Sequence, residues 1–407
     1  MRAAALATSR RGLAQLARVP EALPESCIRK VMSAAAQMEA HGHTVVHLEV
    51  GQPNFDPPPL AIKAAQAALD AGVTRYVANA GLRGLREAVA ESYAARHPHL
   101  ANHGIDRILC THGSMFSYAT GMMATLEPGD EVLLPDPGYP NYEQTIQMLH
   151  AEAVHYPLHL SDGWMPRMAD LERLATPRTK MLLLNTPSNP TGAVLPQRLL
   201  DEMWRFCQEH DLFCLSDEVY SEIVFDQPAP APSLLKSPGA ADDPRAMVTS
   251  GVAKSHAMTG FRVGWLRGHP SLIEVASRLQ EPFVSCGVPF SQAAAEAVLR
   301  DPELGARAVG LDAYIARRDL AIAILEEYGL KEYSPQGAFY LLVNCSRSGL
   351  GSGAFADALL ATRGVAVAPG FGFGEKATSH VRVALCSSEA DIEVGMRAIC
   401  EAITRGL

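Results

Sequence analysis

No stretch of this 407-residue chain brings cysteines into metal-ligand spacing; its eight cysteines stand apart at positions 27, 110, 207, 214, 286, 345, 386 and 400. That scatter offers neither a metal site nor a disulfide framework, so the thiols read as buried or idle in a reducing cytoplasm. Long apolar runs are missing too. Nothing approaches the roughly 18 residues needed to span a bilayer, and no membrane association is expected. Positive charge is also short: 35 Lys and Arg face 44 Asp and Glu, a formal net charge of -9. A broad nucleic-acid-binding surface is thereby excluded, although a local cationic pocket for a small anion is not. Internal repeats and low-complexity linkers are absent.

What is present is an ordinary globular balance, 48% hydrophobic and 19% charged, on a chain long enough for two domains. The opening "MRAAALATSRRGLAQLARVP" holds four arginines and no acid before Glu21. It reads as a flexible arm on a cytoplasmic protein, with a mitochondrial transit peptide as the alternative.

From about residue 60 to 290 helical patterns alternate with short apolar runs. "AIKAAQAALDAG" (61–72) has helical spacing and stops at glycine. "RILCTHG" (107–113) reads as a strand, and Ser114 caps the helix that follows. "DEVLLPDPGYP", "KMLLLNTPSNPTG", "LFCLSDEVY" and "AMVTSGVAK" are further strands whose polar residues gather at their C-terminal ends. Such alternation argues for an α/β fold with a mainly parallel central sheet flanked by helices. Ligands bind beyond the carboxyl ends of such strands, so Ser114, Tyr139, Asn189, Asp217 and Lys254 are expected to converge on one cleft. After residue 300 the pattern changes. "ELGARAVGLDAYIARRDLAIAILEEYGL" (303–330) reads as one long helix, and "GAFYLLVN", "SGAFADALLATRG", "VAVAPG" and "HVRVAL" follow as strand, helix, strand and strand before a closing helix from Ser388. The expected organisation is a large domain over 50–290, with a smaller α+β domain formed by an N-terminal arm and segment (1–49) and residues 291–407.

The polar residues at the strand ends carry the chemistry. Gly113 and Ser114 in "THGSM" stand at a helix start, where free N–H groups and the dipole favour an anion; read alone, such a turn is more often a simple cap. Asp217 in "SDEVY" could hold a proton on a heterocyclic ring nitrogen, turning the ring into an electron sink, or cap the next helix. Tyr220 lies three residues on, where its hydroxyl could reach a ring oxygen. Asn189 in "NTPSNPTG" offers an amide to a phenolate-like oxygen, or serves only the turn. Lys254 sits among small residues in "SGVAKSHAMTGFRVGW" (250–265), a setting that must leave its ammonium wet or paired.

Together "SNPTG", "SDEVY", "SGVAKSHAMTGFRVG" and "HVRVALCSSE" resemble the class I and II aminotransferases of the fold type I pyridoxal-phosphate enzymes, from "LEVGQPNFDPP" (48–58) to the last helix. The resemblance implies that Lys254 forms a Schiff base with pyridoxal 5'-phosphate and, once released, shuttles a proton between Cα and C4′. It implies that Asp217 pairs with the ring nitrogen, that Asn189 and Tyr220 hydrogen-bond the ring oxygen, and that Tyr139 stacks on the ring. Ser114, the Met115 N–H and Arg262 would hold the phosphate beside Gly113. Tyr76, in "TRYVANAGLRGLRE", would reach the phosphate of a neighbouring subunit in a homodimer. Arg382 would clamp the substrate α-carboxylate under a loop containing Gly51.

The implied activity is transfer of the α-amino group of an L-amino acid to a 2-oxo acid such as 2-oxoglutarate or pyruvate. A lyase on the same scaffold, acting on a Cβ–S bond or forming an aminocyclopropane carboxylate, would share the motifs. A non-catalytic cofactor-binding regulator is expected to carry a DNA-binding domain, for which the start of the chain leaves no room. Two departures from the family pattern stand out. Gly251 replaces a common phosphate-binding serine or threonine, and Met115 stands where aspartate-using relatives place a lysine. Met115, Phe339 and the segment near Ile28 are expected around the side-chain pocket, and none of them supplies a cation to a distal carboxylate; the alternative is that Met115 is structural and the cation comes from elsewhere. The expected donor is therefore neutral, aliphatic or aromatic.

Overall fold

The apolar runs pair into one eight-stranded sheet in a computed structural model that describes residues 17–226, 229–301, 303–304 and 307–406. The first 16 residues, most of the expected arm or transit segment, lie outside the described residues. In chain order the strands are β1 (Ile108–His112), β2 (Glu131–Asp136), β3 (Glu152–His159), β4 (Met165–Pro166), β5 (Thr179–Asn185), β6 (Phe213–Asp217), β7 (Ala246–Gly251) and β8 (Val263–Gly268). Their spatial order is β1-β8-β7-β6-β5-β2-β3-β4. From β7 through β3 the neighbours run parallel; β8 runs against both β1 and β7, and β4 against β3.

Alternate residues of the central strands feed two apolar layers. Leu182, Leu184, Cys214 and Val248 pack with Met203 and Trp204 of the helix Gln197–Glu209. Met181, Leu183, Leu215 and Met247 pack with Tyr118, Met122 and Ile146 on the other face. Burial on both faces is what lets these strands read as nearly continuous hydrophobic runs.

A smaller unit is built on β9 (Tyr340–Asn344), β10 (Ala368–Pro369) and β11 (His380–Ala384), antiparallel in the order β9-β11-β10. The helices Leu311–Glu327, Ser352–Arg363 and Glu389–Arg405 complete it around Leu341, Val343, Val381, Val383 and Ile399. The N-terminal segment joins this unit: Val46 and His47 pair in parallel with Val365 and Ala366, while Val31 and Ala35 of the helix Cys27–Ala40 pack on Leu360.

Four local expectations are corrected. The helix Pro289–Arg300, placed at the start of the small domain, packs Ala294, Ala295 and Val298 into the core of the large sheet. The long helix expected from residue 303 begins only at Leu311, because Gly310 caps it at φ +74°, where a Cβ would lie 2.1 Å from the Phe55 ring. "VAVAPG" is two short strands serving two different sheets. Gly113, at φ +77°, is the N-cap before the helix Ser114–Met123, and Ser114 is its first residue, since only glycine holds that backbone cheaply.

Candidate active site

The carboxyl ends of β1, β2, β5, β6 and β7 open on one side of the sheet, and β8, running the other way, begins there. A cavity of about 650 Å³ lies at that edge, lined by Ser114, Met115, Tyr139, Asn189, Asp217, Tyr220, Lys254 and Arg262. From the small unit come Arg382 and Tyr340, with Gly51 from the N-terminal segment. Each element supplies its residue by register. Asn185 pairs with Asp217, which sets the ends of β5 and β6 side by side, and β7 runs on past that level toward Lys254.

One end of the cavity suits an anion. Ser114 opens a ten-residue helix whose first N–H groups have no partner within it. A Cβ on Gly113 would lie 2.7 Å from Arg262 Nη2, so the missing side chain is what admits the guanidinium beside the helix start. Arg262 itself is left-handed at φ +55°, uncommon for a non-glycine residue, and donates to Thr259 O at 2.9 Å. Gly251 has a packing reason. A Cβ there would meet Val263 O at 2.9 Å, so no serine fits at this crossing of β7 and β8.

At the centre Asp217 is 4% exposed and accepts from the Tyr142 hydroxyl at 2.7 Å and from Val219 N–H at 3.1 Å. Burial pushes its carboxyl up to about 6, against the pull of the Tyr142 and Val219 donors and the Lys254 charge. Lys254 Nζ donates to Gly51 O at 2.6 Å. Burial first, then the charges of Arg382 and Arg262, press its ammonium down to about 8, with Cys386 and Asp217 opposing. The pair is thus an anion waiting for a cation and an ammonium that gives up its proton far more readily than an ordinary lysine.

Arg382 sits in the middle of β11, opposite Leu342, 2% exposed. Its guanidinium lies 4.4 Å from the Tyr340 ring centre and 4.8 Å from that of Phe373, donates to Asn189 Oδ1 at 3.2 Å and also reaches Glu49 O. Its buried Nε finds no partner among the described residues, which leaves a donor for a carboxylate. With its Oδ1 engaged, Asn189 keeps its Nδ2 donors for a ligand. The Tyr220 hydroxyl meets that of Tyr340 at 3.0 Å. Tyr340 also explains Gly51, since a Cβ there would fall 1.8 Å from its hydroxyl.

Tyr76 does not join this cavity; it is 87% exposed. Phe339, expected in the side-chain pocket, is fully buried beneath the site, with Lys254 Nζ 5.9 Å above its ring. The expectation of a pocket without a further cation also fails, because Arg29 lines the cavity. Sequence reasoning missed Tyr142, Tyr340 and Arg29. Tyr142 stands in "PGYPNY" (137–142), one helical turn beyond Tyr139, the one signal that could have found it.

Residues 43–399 match the model of a family described as aminotransferase class I and II. Among similar curated proteins, an arginine–pyruvate transaminase of Pseudomonas aeruginosa is 35% identical, over 91% of this chain and 93% of that protein. An aspartate aminotransferase of Pyrococcus abyssi is 34% identical, over 91% and 93% respectively. The solved structure of Thermus thermophilus aspartate aminotransferase with maleate superposes with a TM-score of 0.88 at 30% identity, covering 97% of this chain and 100% of that one.

Proposed function

The chain belongs to the class I and II aminotransferase family, and on that premise we propose that its amino donor is a neutral L-amino acid, aliphatic or aromatic. Membership makes it a pyridoxal-phosphate-dependent transaminase that works between an amino acid and a 2-oxo acid. The residues present fit the cofactor. The Gly113–Ser114 helix start with Arg262 suits a phosphate, buried Asp217 suits a ring cation, and Lys254 suits an aldehyde. Bound there, pyridoxal phosphate supplies a carbonyl that takes up the amino group and a protonated ring that stabilises negative charge at the substrate α-carbon.

In this reading Asp217 holds the proton on the ring nitrogen, and Tyr142 keeps the carboxylate oriented from behind. Asn189 and Tyr220 would steady the ring oxygen, Tyr139 would pack against the ring, and Ser114, the Met115 N–H and Arg262 would hold the phosphate. Arg382, flanked by two aromatic rings, orients the α-carboxylate as a bidentate clamp. Lys254, its amine partly unprotonated near pH 7, takes the proton from the α-carbon and returns it on the other side of the transfer.

The observation that carries the neutral-donor reading is Met115, a partly exposed thioether in the cavity wall, with Tyr139 OH 3.9 Å from its sulfur. Neither of these two side chains offers a charge to the short aspartate side chain. Half-reaction kinetics over a donor panel test it: neutral donors should exceed aspartate in kcat/KM, and Met115→Lys should shift the ratio toward aspartate. A wild-type preference for aspartate would refute the reading. We also propose a cytoplasmic homodimer, supported by the family's habit and by the exposed Tyr76 ring, which would complete the partner's phosphate site.

A further inference from the structure

Among the described residues four cations line the cavity: Arg29, Lys254, Arg262 and Arg382. Contacts commit three of them. Lys254 is held on Gly51 O, Arg262 lies against the Gly113 turn, and Arg382 is fixed between the rings of Tyr340 and Phe373. Arg29 is different. Its backbone N–H reaches Ser26 Oγ at 3.4 Å, but among the described residues its guanidinium makes no ion pair and no hydrogen bond.

Arg29 stands in the first turn of the helix Cys27–Ala40, on the wall that Ser26, Ile28 and Met32 also form. Its position relative to the substrate follows from the cavity it lines. Arg29, Met115 and Tyr139 line the same cavity, and the Arg29 charge is among those opposing the burial-driven rise of the Tyr139 hydroxyl. The Tyr139–Met115 flank is where the donor side chain rests in the reading above.

A transaminase must fit two substrates in turn into one cavity, and Arg382 serves the α-carboxylate of both. A dicarboxylic oxo acid brings a second carboxylate, which an apolar wall alone would reject. We propose that Arg29 is a specificity-determining residue that meets this distal carboxylate, admitting a five-carbon dicarboxylic 2-oxo acid of the 2-oxoglutarate type into a cavity that otherwise takes neutral donors. Because its guanidinium is exposed and unpaired among the described residues, yielding to a neutral side chain breaks no ion pair. A flexible, solvated arginine can serve one substrate and stand aside for the other. This inference rests on the proposed neutral-donor transaminase.

The test compares 2-oxoglutarate with pyruvate as acceptor for holoenzyme charged by one neutral donor. Arg29→Gln should lower the ratio of kcat/KM for 2-oxoglutarate to that for pyruvate by about tenfold to a hundredfold, the worth of one charge-assisted hydrogen bond. Arg29→Lys should restore part of that ratio. Calorimetry supplies a readout independent of turnover: in Arg29→Gln the Kd of glutarate should rise by a similar factor relative to that of butyrate. An unchanged ratio, or an equal loss for both acceptors and both carboxylates, overturns the proposal while leaving the transaminase reading intact. A wild-type enzyme that moves the amino group of no neutral donor to either acceptor overturns both.

Discussion

Lys254 must be unprotonated to attack an aldehyde, so the pH dependence of cofactor capture reads its ionisation directly. Burial and the neighbouring Arg382 and Arg262 lower its pKa from 10.5 to about 8. The shift is downward, so it enlarges the neutral fraction. At pH 7 that fraction is about 9%, against about 0.03% for an ordinary lysine, a gain of roughly 300-fold in competent amine. Cofactor-free protein mixed with pyridoxal phosphate in a stopped-flow absorbance experiment should bind about tenfold faster at pH 7 than at pH 6. The rate should reach half its maximum near pH 8 and level off above pH 9. A rate still climbing tenfold per pH unit between 9 and 10 would refute the argument, because it would mean that the cavity leaves Lys254 an ordinary surface lysine.

Asp217→Asn is expected to keep some cofactor yet lose roughly a hundredfold or more in single-turnover rate, since no anion then holds the ring proton; near-normal rates would remove that role. Gly51→Ala places a Cβ 1.8 Å from the Tyr340 hydroxyl. Calorimetric melting should show a loss of about 1–3 kcal/mol, with reduced turnover as the Gly51 carbonyl shifts from Lys254. Light scattering at micromolar concentration should give about twice the mass of one chain, and Tyr76→Phe should weaken cofactor retention about tenfold without changing that mass. A fully active monomer would refute the dimer.

Five strands of the large sheet, β1, β2, β5, β6 and β7, were legible because almost every residue in them is buried, whereas β3, with its first half largely open to solvent, carries no such apolar run. The convergence of the strand ends follows from parallel pairing alone. Partnerships across the chain were not legible. Tyr142 meets Asp217 from 75 residues away, and Tyr220 meets Tyr340 from 120, and nothing in local spacing reports either. Helix starts were misread where glycine replaced the usual polar cap, as at Gly113 and Gly310, because a positive φ leaves no periodic trace. The helix Pro289–Arg300 looked like the start of a new unit, but its partners Pro59–Asp70 and Arg83–Arg96 lie two hundred residues earlier. Arg29 escaped notice for the same reason: its helix belongs to the N-terminal segment, and only the fold turns one of its faces toward the cavity.

The central claim is that Lys254 is the residue to which the cofactor is joined. Borohydride reduction of purified holoenzyme, followed by proteolysis and mass spectrometry, tests it without any variant. The account predicts one reduced phosphopyridoxyl group per chain, on the peptide carrying Lys254, with loss of activity in proportion to labelling. A stoichiometric label on any other lysine would contradict it.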